Sequence, residues 1–133
     1  MMFLDLTARD LMSSDLEICD PDQTVMEALK RMHELGIHCL LVPPPSAGHS
    51  MGIISAKDIV QLLGDAGPEI LEELTVAEIM TSPVVSLPDY LKVADCINLM
   101  RMTGIRTAPI MNGSELVGLL SFSDVLRWIA QHS

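Results

Sequence analysis

The apolar positions of this chain fall into two matching sets. Val25, Ala28, Leu29 and Met32 stand at relative positions 0, 3, 4 and 7, and Val93, Cys96, Ile97 and Met100 repeat that spacing at an offset of 68. Such spacing puts apolar side chains on one face of an α-helix and predicts helices over about 24–35 and 91–103. Gly36 and Gly104 fall where a left-handed residue would end each helix. Two apolar runs follow each helix, 37–42 with 51–54 and 105–111 with 115–120, and these predict strand pairs. A shorter extended segment precedes each helix, around 16–19 and 84–87. A last helix opens at Ser55 or Ser121 and carries Ile59, Val60 and Leu63, or Val125, Leu126 and Ile129. The predicted order in each copy is β-α-β-β-α.

The repetition extends to named residues. Thr7-Ala8-Arg9-Asp10-Leu11-Met12-Ser13 recurs as Thr75-Val76-Ala77-Glu78-Ile79-Met80-Thr81 at the same offset of 68. In both, Thr-x-x-Asp/Glu predicts a short helix whose threonine caps a backbone donor while the acid reaches back. Thr24 and Glu27 offer another such box. Asp20-Pro21-Asp22 returns as Leu87-Pro88-Asp89, slipped by one position, and Gly36-Ile37-His38 returns as Gly104-Ile105-Arg106. After an insertion in the first copy, Gly52-Ile53-Ile54-Ser55-Ala56-Lys57-Asp58-Ile59 matches Gly118-Leu119-Leu120-Ser121-Phe122-Ser123-Asp124-Val125 at an offset of 66. The chain is therefore a duplication, with residues 1–63 and 75–133 as repeats. Residues 64–74, rich in Gly, Asp and Glu around Pro68, are expected to be the linker. A half of about 60 residues would not bury much of its surface alone, and duplicated halves usually pack together, so the two are expected to pack their sheets about a pseudo-two-fold axis. The insertion over 43–50 contains Pro43, Pro44 and Pro45 and predicts a stiff polyproline-like surface loop, with a ligand for a proline-reading domain as the alternative.

Composition narrows the function. Of the 133 residues, 49% are hydrophobic and 20% charged, which suits a folded domain with a real core. Eight Lys+Arg against eighteen Asp+Glu give a net charge of −10. That charge argues against nucleic acid, whose affinity rests on cationic contacts to phosphates. Aromatics at 3% argue against a base-stacking surface. No apolar run approaches the roughly 18–20 residues of a membrane span, and Met1-Met2-Phe3-Leu4-Asp5 does not open like a secretory signal. A cytoplasmic location is the expectation. Cys19, Cys39 and Cys96 lie in apolar segments with no Cys-x-x-Cys pair and are expected as buried thiols. The four histidines lack zinc-ligand spacing. There is no Gly-x-x-x-x-Gly-Lys, no Gly-x-Gly-x-x-Gly and no nucleophile with base and orienter, so no enzyme is expected.

The opening Thr-x-x-Asp/Glu-x-Met, the Gly-Ile start of the second strand and the Gly-h-h-Ser-x-x-Asp segment (h, hydrophobic) occur twice in the same order. With them the chain resembles a pair of CBS domains (named after cystathionine beta-synthase), the tandem unit called a Bateman module. The resemblance runs from about Thr7 to Ala130. It implies an α/β (α+β) fold of two β-α-β-β-α repeats packed sheet to sheet. It also implies clefts between the repeats for adenosine-containing ligands (AMP, ADP, ATP or S-adenosylmethionine), through which such modules regulate an attached or partner protein. Family members form homodimers through helical faces. The candidates here are Val60/Leu63 and Leu126/Ile129, with intramolecular core as the other reading. An interaction scaffold that dimerises without binding nucleotide is the alternative function.

The matched residues have suitable chemistry. A carboxylate accepts hydrogen bonds from both hydroxyls of a ribose, and a serine at a helix start can donate to a phosphate or ribose oxygen beside free backbone N–H groups. Ser55/Asp58 and Ser121/Asp124 have this arrangement, which is equally an ordinary capping box; one residue can do both. In nucleotide-binding relatives a basic residue three places before the proline-containing end of the second strand faces the phosphates. Arg106 ahead of Pro109 matches that position, with His38 ahead of Leu41 as its counterpart; an ion pair with an acid is the other reading of Arg106. The resemblance places Asp58 opposite Thr81-Ser82-Pro83-Val84 and Asp124 opposite Ser13-Ser14-Asp15-Leu16. Asp15, turned inward, would repel phosphate. The Asp58 cleft with Thr81 and Val84 is therefore preferred, with Arg106 in reach of either cleft. The charge of −10 favours AMP, adenosine or S-adenosylmethionine over ATP.

Overall fold

The computed structural model describes residues 2–44 and 50–133. A short 3-10 turn, Phe3–Asp5, precedes α1 (Ala8–Leu11), α2 (Val25–Leu35), β1 (Cys39–Val42), β2 (Gly52–Ser55) and α3 (Ala56–Leu63). Then come α4 (Ile70–Glu73), α5 (Val76–Ile79), β3 (Leu87–Pro88), α6 (Val93–Thr103), β4 (Thr107–Asn112), β5 (Glu115–Ser121) and α7 (Phe122–Gln131). The helices and strand pairs that the apolar pattern predicts are present, their ends moved by a residue or two. The polyproline-like reading of the insertion falls largely on residues 45–49, outside the described residues.

Local chemistry sets the helix ends. The Thr24 hydroxyl accepts from the Glu27 N–H at 3.1 Å, and the Glu27 carboxylate accepts from the Thr24 N–H at 3.4 Å. This closes the predicted box on α2. Gly36 and Gly104 end α2 and α6 at φ of 66° and 73°, a region where any side chain is strained. At α1 the Asp10 carboxylate accepts from the Thr7 N–H at 2.8 Å. The matching box on α5 does not form: Thr75 makes no side-chain cap bond.

Residues 1–16 and 85–133 form one compact unit and residues 17–84 another. These units are not coextensive with the sequence repeats 1–63 and 75–133, because the opening segment of each repeat completes the sheet of the other. In unit 17–84, β1 and β2 pair antiparallel with Leu40 opposite Ile54. Ile18 adds a parallel bridge at Leu41, and Thr81 an antiparallel bridge at Ile53. In the other unit β4 lies between β3, parallel, and β5, antiparallel, and Ser13 bridges to Leu119 of β5. The segment 64–74 that joins the repeats is more than a solvated connector. It carries α4, and Leu71 lies only 2% exposed in the core of unit 17–84 with Val25, Ile59 and Val76. An apolar side chain there gains more by burial than by remaining in a solvated connector.

The repeated 0, 3, 4, 7 positions become the two cores. Val25, Ala28 and Met32 are buried with Leu40 and Ile54; Val93, Cys96 and Met100 are buried with Ala108, Ile110 and Leu120. Cys19 and Cys96 are buried as expected, whereas Cys39 is only half-buried. Burial pushes the Cys96 thiol up to about 11, with neighbouring Asp95 adding to it, and raises Cys19 as well, because an apolar surrounding disfavours the thiolate. Val60, Leu63, Leu126 and Ile129 are exposed, so within a single chain the core reading of these four fails. Among the described residues no helix is long and apolar enough to cross a membrane.

Gly52 and Gly118 are packing glycines. A Cβ at Gly52 would lie 2.5 Å from the Met80 sulfur, and one at Gly118 would press on the Met12 sulfur and lie 2.9 Å from the Ser13 carbonyl oxygen. A methionine side chain can move aside. The Ser13 backbone is held by N–H···O bonds of 2.8 and 2.9 Å to Leu119 and cannot. Gly118→Ala is therefore expected to cost about 1–3 kcal/mol by overpacking, and Gly52→Ala less. Urea midpoints compare the two, and equal midpoints would contradict this account.

Candidate functional site

β2 runs directly into α3, and β5 into α7, so Ser55 and Ser121 each end a strand and cap the following helix. The Ser55 N–H and Oγ–H donate to Oδ2 of Asp58 at 2.8 and 2.9 Å, and the Asp58 N–H donates back to Ser55 Oγ at 3.3 Å. The second copy repeats this at 2.8, 3.0 and 3.2 Å between Ser121 and Asp124. Both pairs are complete capping boxes, with a carboxylate where the helix dipole favours negative charge. The carbonyl of His38 accepts from the Ala56 N–H at 2.8 Å and that of Arg106 from the Phe122 N–H at 3.2 Å. Each start of a second strand is thus fixed beside its serine–aspartate pair.

The copies differ in what remains free. Oδ1 of Asp124 accepts from the Arg127 guanidinium at 2.9 Å, and the residue is only 6% exposed. Position 61, the counterpart of 127, is glutamine. Among the described residues Oδ1 of Asp58 has no partner, and Asp58 is half-buried. One carboxylate is therefore committed to its own helix, while the other keeps an acceptor. The motif alone conceals this difference. The signal lay three residues downstream, where an Asp–Arg pair on one helix face replaces Asp–Gln.

Unit 17–84 gathers His38, Ser55, Asp58, Thr81 and Val84; the other unit gathers Ser13, Arg106, Pro109, Ser121 and Asp124. Each serine–aspartate pair thus shares a unit with the segment expected opposite it. Thr81 exchanges backbone hydrogen bonds with Ile53 at 2.8 and 3.0 Å, and the Ser82 hydroxyl donates to the Met51 carbonyl at 3.0 Å. Val84 is half-buried, Pro109 is buried, and His38, Asp15 and Arg106 are exposed. Arg106 makes no ion pair among the described residues. The ion pairs formed are Arg9–Asp89, which Asn112 joins at 3.2 Å, Arg31–Glu17 at 2.9 Å and Arg127–Asp124. Arg31 also donates to the Ile18 carbonyl. Charge is divided unevenly: residues 17–84 hold three Lys/Arg against eleven Asp/Glu, the remainder five against seven. Among the described residues no group of three or more His, Cys, Asp or Glu could hold a metal ion.

Comparison with known proteins matches the model of the CBS domain to residues 8–65 and 76–131. An uncharacterised protein of Methanopyrus kandleri is 28% identical over 108 residues, covering 80% of this chain and 54% of the relative. The chain thus spans about half the length of that protein. The hexameric CBS-CP12 protein from bloom-forming cyanobacteria is 32% identical and superposes at a TM-score of 0.85, over 91% of this chain and 66% of that one. The CBS domain pair of protein MJ0100, in complex with 5'-methylthioadenosine and S-adenosyl-L-methionine, superposes at a TM-score of 0.78 with 22% identity, over 96% and 98%.

Proposed function

The chain belongs to the CBS domain family, and on that premise we propose that it is a regulatory module that binds an adenosine-containing ligand and signals its presence to a partner protein. The observation that carries this reading is the Ser55–Asp58 pair: a hydroxyl and a carboxylate held rigidly at a helix start, with one carboxylate oxygen left unpartnered among the described residues. That oxygen suits a ribose hydroxyl donor. The MJ0100 domain pair, which holds two adenosine derivatives, supports the ligand class.

Electrostatics sort the ligands. The strong acidity of residues 17–84 disfavours a polyphosphate and suits adenosine or the cationic S-adenosylmethionine at Asp58, Thr81 and Val84. A phosphate-bearing ligand such as AMP would need Arg106, which is exposed and makes no ion pair among the described residues. A ligand that prefers one of two conformations shifts their populations by no more than its differential affinity, which is how a bound nucleoside would reach a partner.

Thermal unfolding against adenosine, S-adenosylmethionine, AMP, ADP and ATP tests this. A ligand at 100 times its dissociation constant stabilises by about 2.7 kcal/mol, a shift of several degrees in a domain of this size. S-adenosylmethionine is expected to raise the midpoint of the wild type and of Asp124→Asn, but not of Asp58→Asn. A flat response to the whole panel at millimolar concentration would instead favour a ligand-free scaffold. The exposed Val60, Leu63, Leu126 and Ile129 support that second reading, and such a scaffold would be a homodimer through these helical faces.

A further inference from the structure

The internal repeat supplies a control for the surface of α6. The Val76 N–H donates to the Gln23 carbonyl and the Ala8 N–H to the Leu91 carbonyl, both at 2.8 Å. Positions 23 and 91 are thus equivalent, and the offset of 68 holds up to each long helix. On α2 the strip away from the core is Glu27, Lys30, Arg31 and Glu34, all charged. Arg31 pairs with Glu17 at 2.9 Å and donates to the Ile18 carbonyl, so a charged clasp covers the extended segment beside the helix. At the same places α6 carries Asp95, Asn98, Leu99 and Met102, at i, i+3, i+4 and i+7 on one face, and Glu17 becomes Val85. The clasp and the acid next to it have given way to Val85, Leu99 and Met102, which are 41%, 39% and 78% exposed. Single exposed apolar residues are ordinary on a surface; three in place of an ion pair and its neighbour are a patch. The outer faces of α3 and α7 are apolar in both copies, whereas this one is apolar in a single copy.

We propose that this face joins two copies of the chain, α6 lying antiparallel on the second copy's α6 about a two-fold axis. A two-fold contact needs a self-complementary surface, and α6 has one. Its only charged residues, Asp95 and Arg101, stand three positions either side of Asn98. Both are exposed, and neither makes an ion pair among the described residues; the Arg101 guanidinium donates to the Asn98 side chain at 3.0 Å. An antiparallel crossing centred on Asn98 brings each Asp95 level with the second copy's Arg101. Unlike charges then pair twice, and Leu99 and Met102 cover the apolar strip between them. A parallel crossing would set Asp95 against Asp95. One acid and one cation cancel locally, and the net charge of −10 is screened beyond about 8 Å at physiological salt. The matching face of α2 is unsuited to this contact, because its four charges would lose their hydration against a second helix.

Sedimentation velocity of the whole chain at physiological salt tests this. A dimer with a micromolar dissociation constant is expected, because one helix face makes a small interface. Leu99→Glu/Met102→Glu should raise that constant about a hundredfold, since each new carboxylate would be buried without a partner. If circular dichroism shows that this variant does not fold, Met102→Glu alone, at the most exposed of the three positions, decides instead. Asp95→Arg should weaken the dimer about tenfold, and Asp95→Arg/Arg101→Asp should restore it. That rescue reports the antiparallel pairing, which a merely apolar contact would not show. A monomeric wild type, an unchanged dissociation constant in Leu99→Glu/Met102→Glu, no recovery on the charge swap, or dissociation only in Leu126→Glu/Ile129→Glu would each overturn the proposal. The assay contains no nucleotide, so its outcome is independent of the adenosine reading.

Discussion

Leu71→Ala is expected to destabilise the protein by about 2–5 kcal/mol, the range for emptying a fully buried leucine site. Leu71 is 2% exposed and packs in one core with Val25, Ile59 and Val76, although it lies between the two sequence repeats. The loss has two parts: the transfer free energy of the deleted methyl and methylene groups, and the cavity that three separate elements cannot collapse to fill. Glu72→Ala, one position along the same helical turn and exposed, should change stability by less than about 0.5 kcal/mol. Urea unfolding of the two variants measures the contrast. If Leu71→Ala unfolds like Glu72→Ala, residues 64–74 behave as a tether and Leu71 contributes nothing to the core of unit 17–84.

That segment marks a boundary of what the amino-acid pattern reveals. Helices α2 and α6 were legible because their information is local: four apolar positions spaced at 0, 3, 4 and 7, and a glycine that tolerates positive φ. The strand pairs were legible for the same reason, as apolar runs of the right length between turn residues. The partners of the opening segments were not. Nothing within Ser13 or Thr81 states which strand it will bridge, because a lone extended segment finds its hydrogen-bond partners far along the chain. Here Ser13 joins Leu119 and Thr81 joins Ile53, each in the other repeat. The family resemblance set each of these segments across a cleft from the other repeat's aspartate, but neither it nor periodicity named the strand that the segment would bridge. A run dominated by Gly, Asp and Glu reads as linker, and one buried leucine within it carries too weak a signal to overrule the composition. The site was legible to the level of its motif. Both Ser-x-x-Asp pairs are where the repeat put them, but the different states of their carboxylates depend on Gln61 and Arg127, outside the matched residues.

The difference between those carboxylates leads to the second large effect, expected at Asp124. Asp124→Ala removes the acceptor for the Ser121 N–H and hydroxyl, leaving a backbone donor at a part-buried site, which costs about 1–3 kcal/mol. It also removes a negative charge from the first turn of α7, worth about 0.3–1 kcal/mol more. Arg127, more than half exposed, returns to water at little cost, so the expected total is about 2–4 kcal/mol. Asp58→Ala deletes the same two contacts, but Asp58 is half-buried and water can replace part of what is lost. Its cost should be about 1 kcal/mol, as for an ordinary cap. Denaturant midpoints should therefore fall further for Asp124→Ala than for Asp58→Ala, while Asp58→Ala alone removes the response to S-adenosylmethionine. Equal destabilisation would mean that the Arg127 contact and the deeper burial of Asp124 do not separate the copies. The ligand assignment would then lose its physical basis, because it rests on one carboxylate being committed to the fold and the other available.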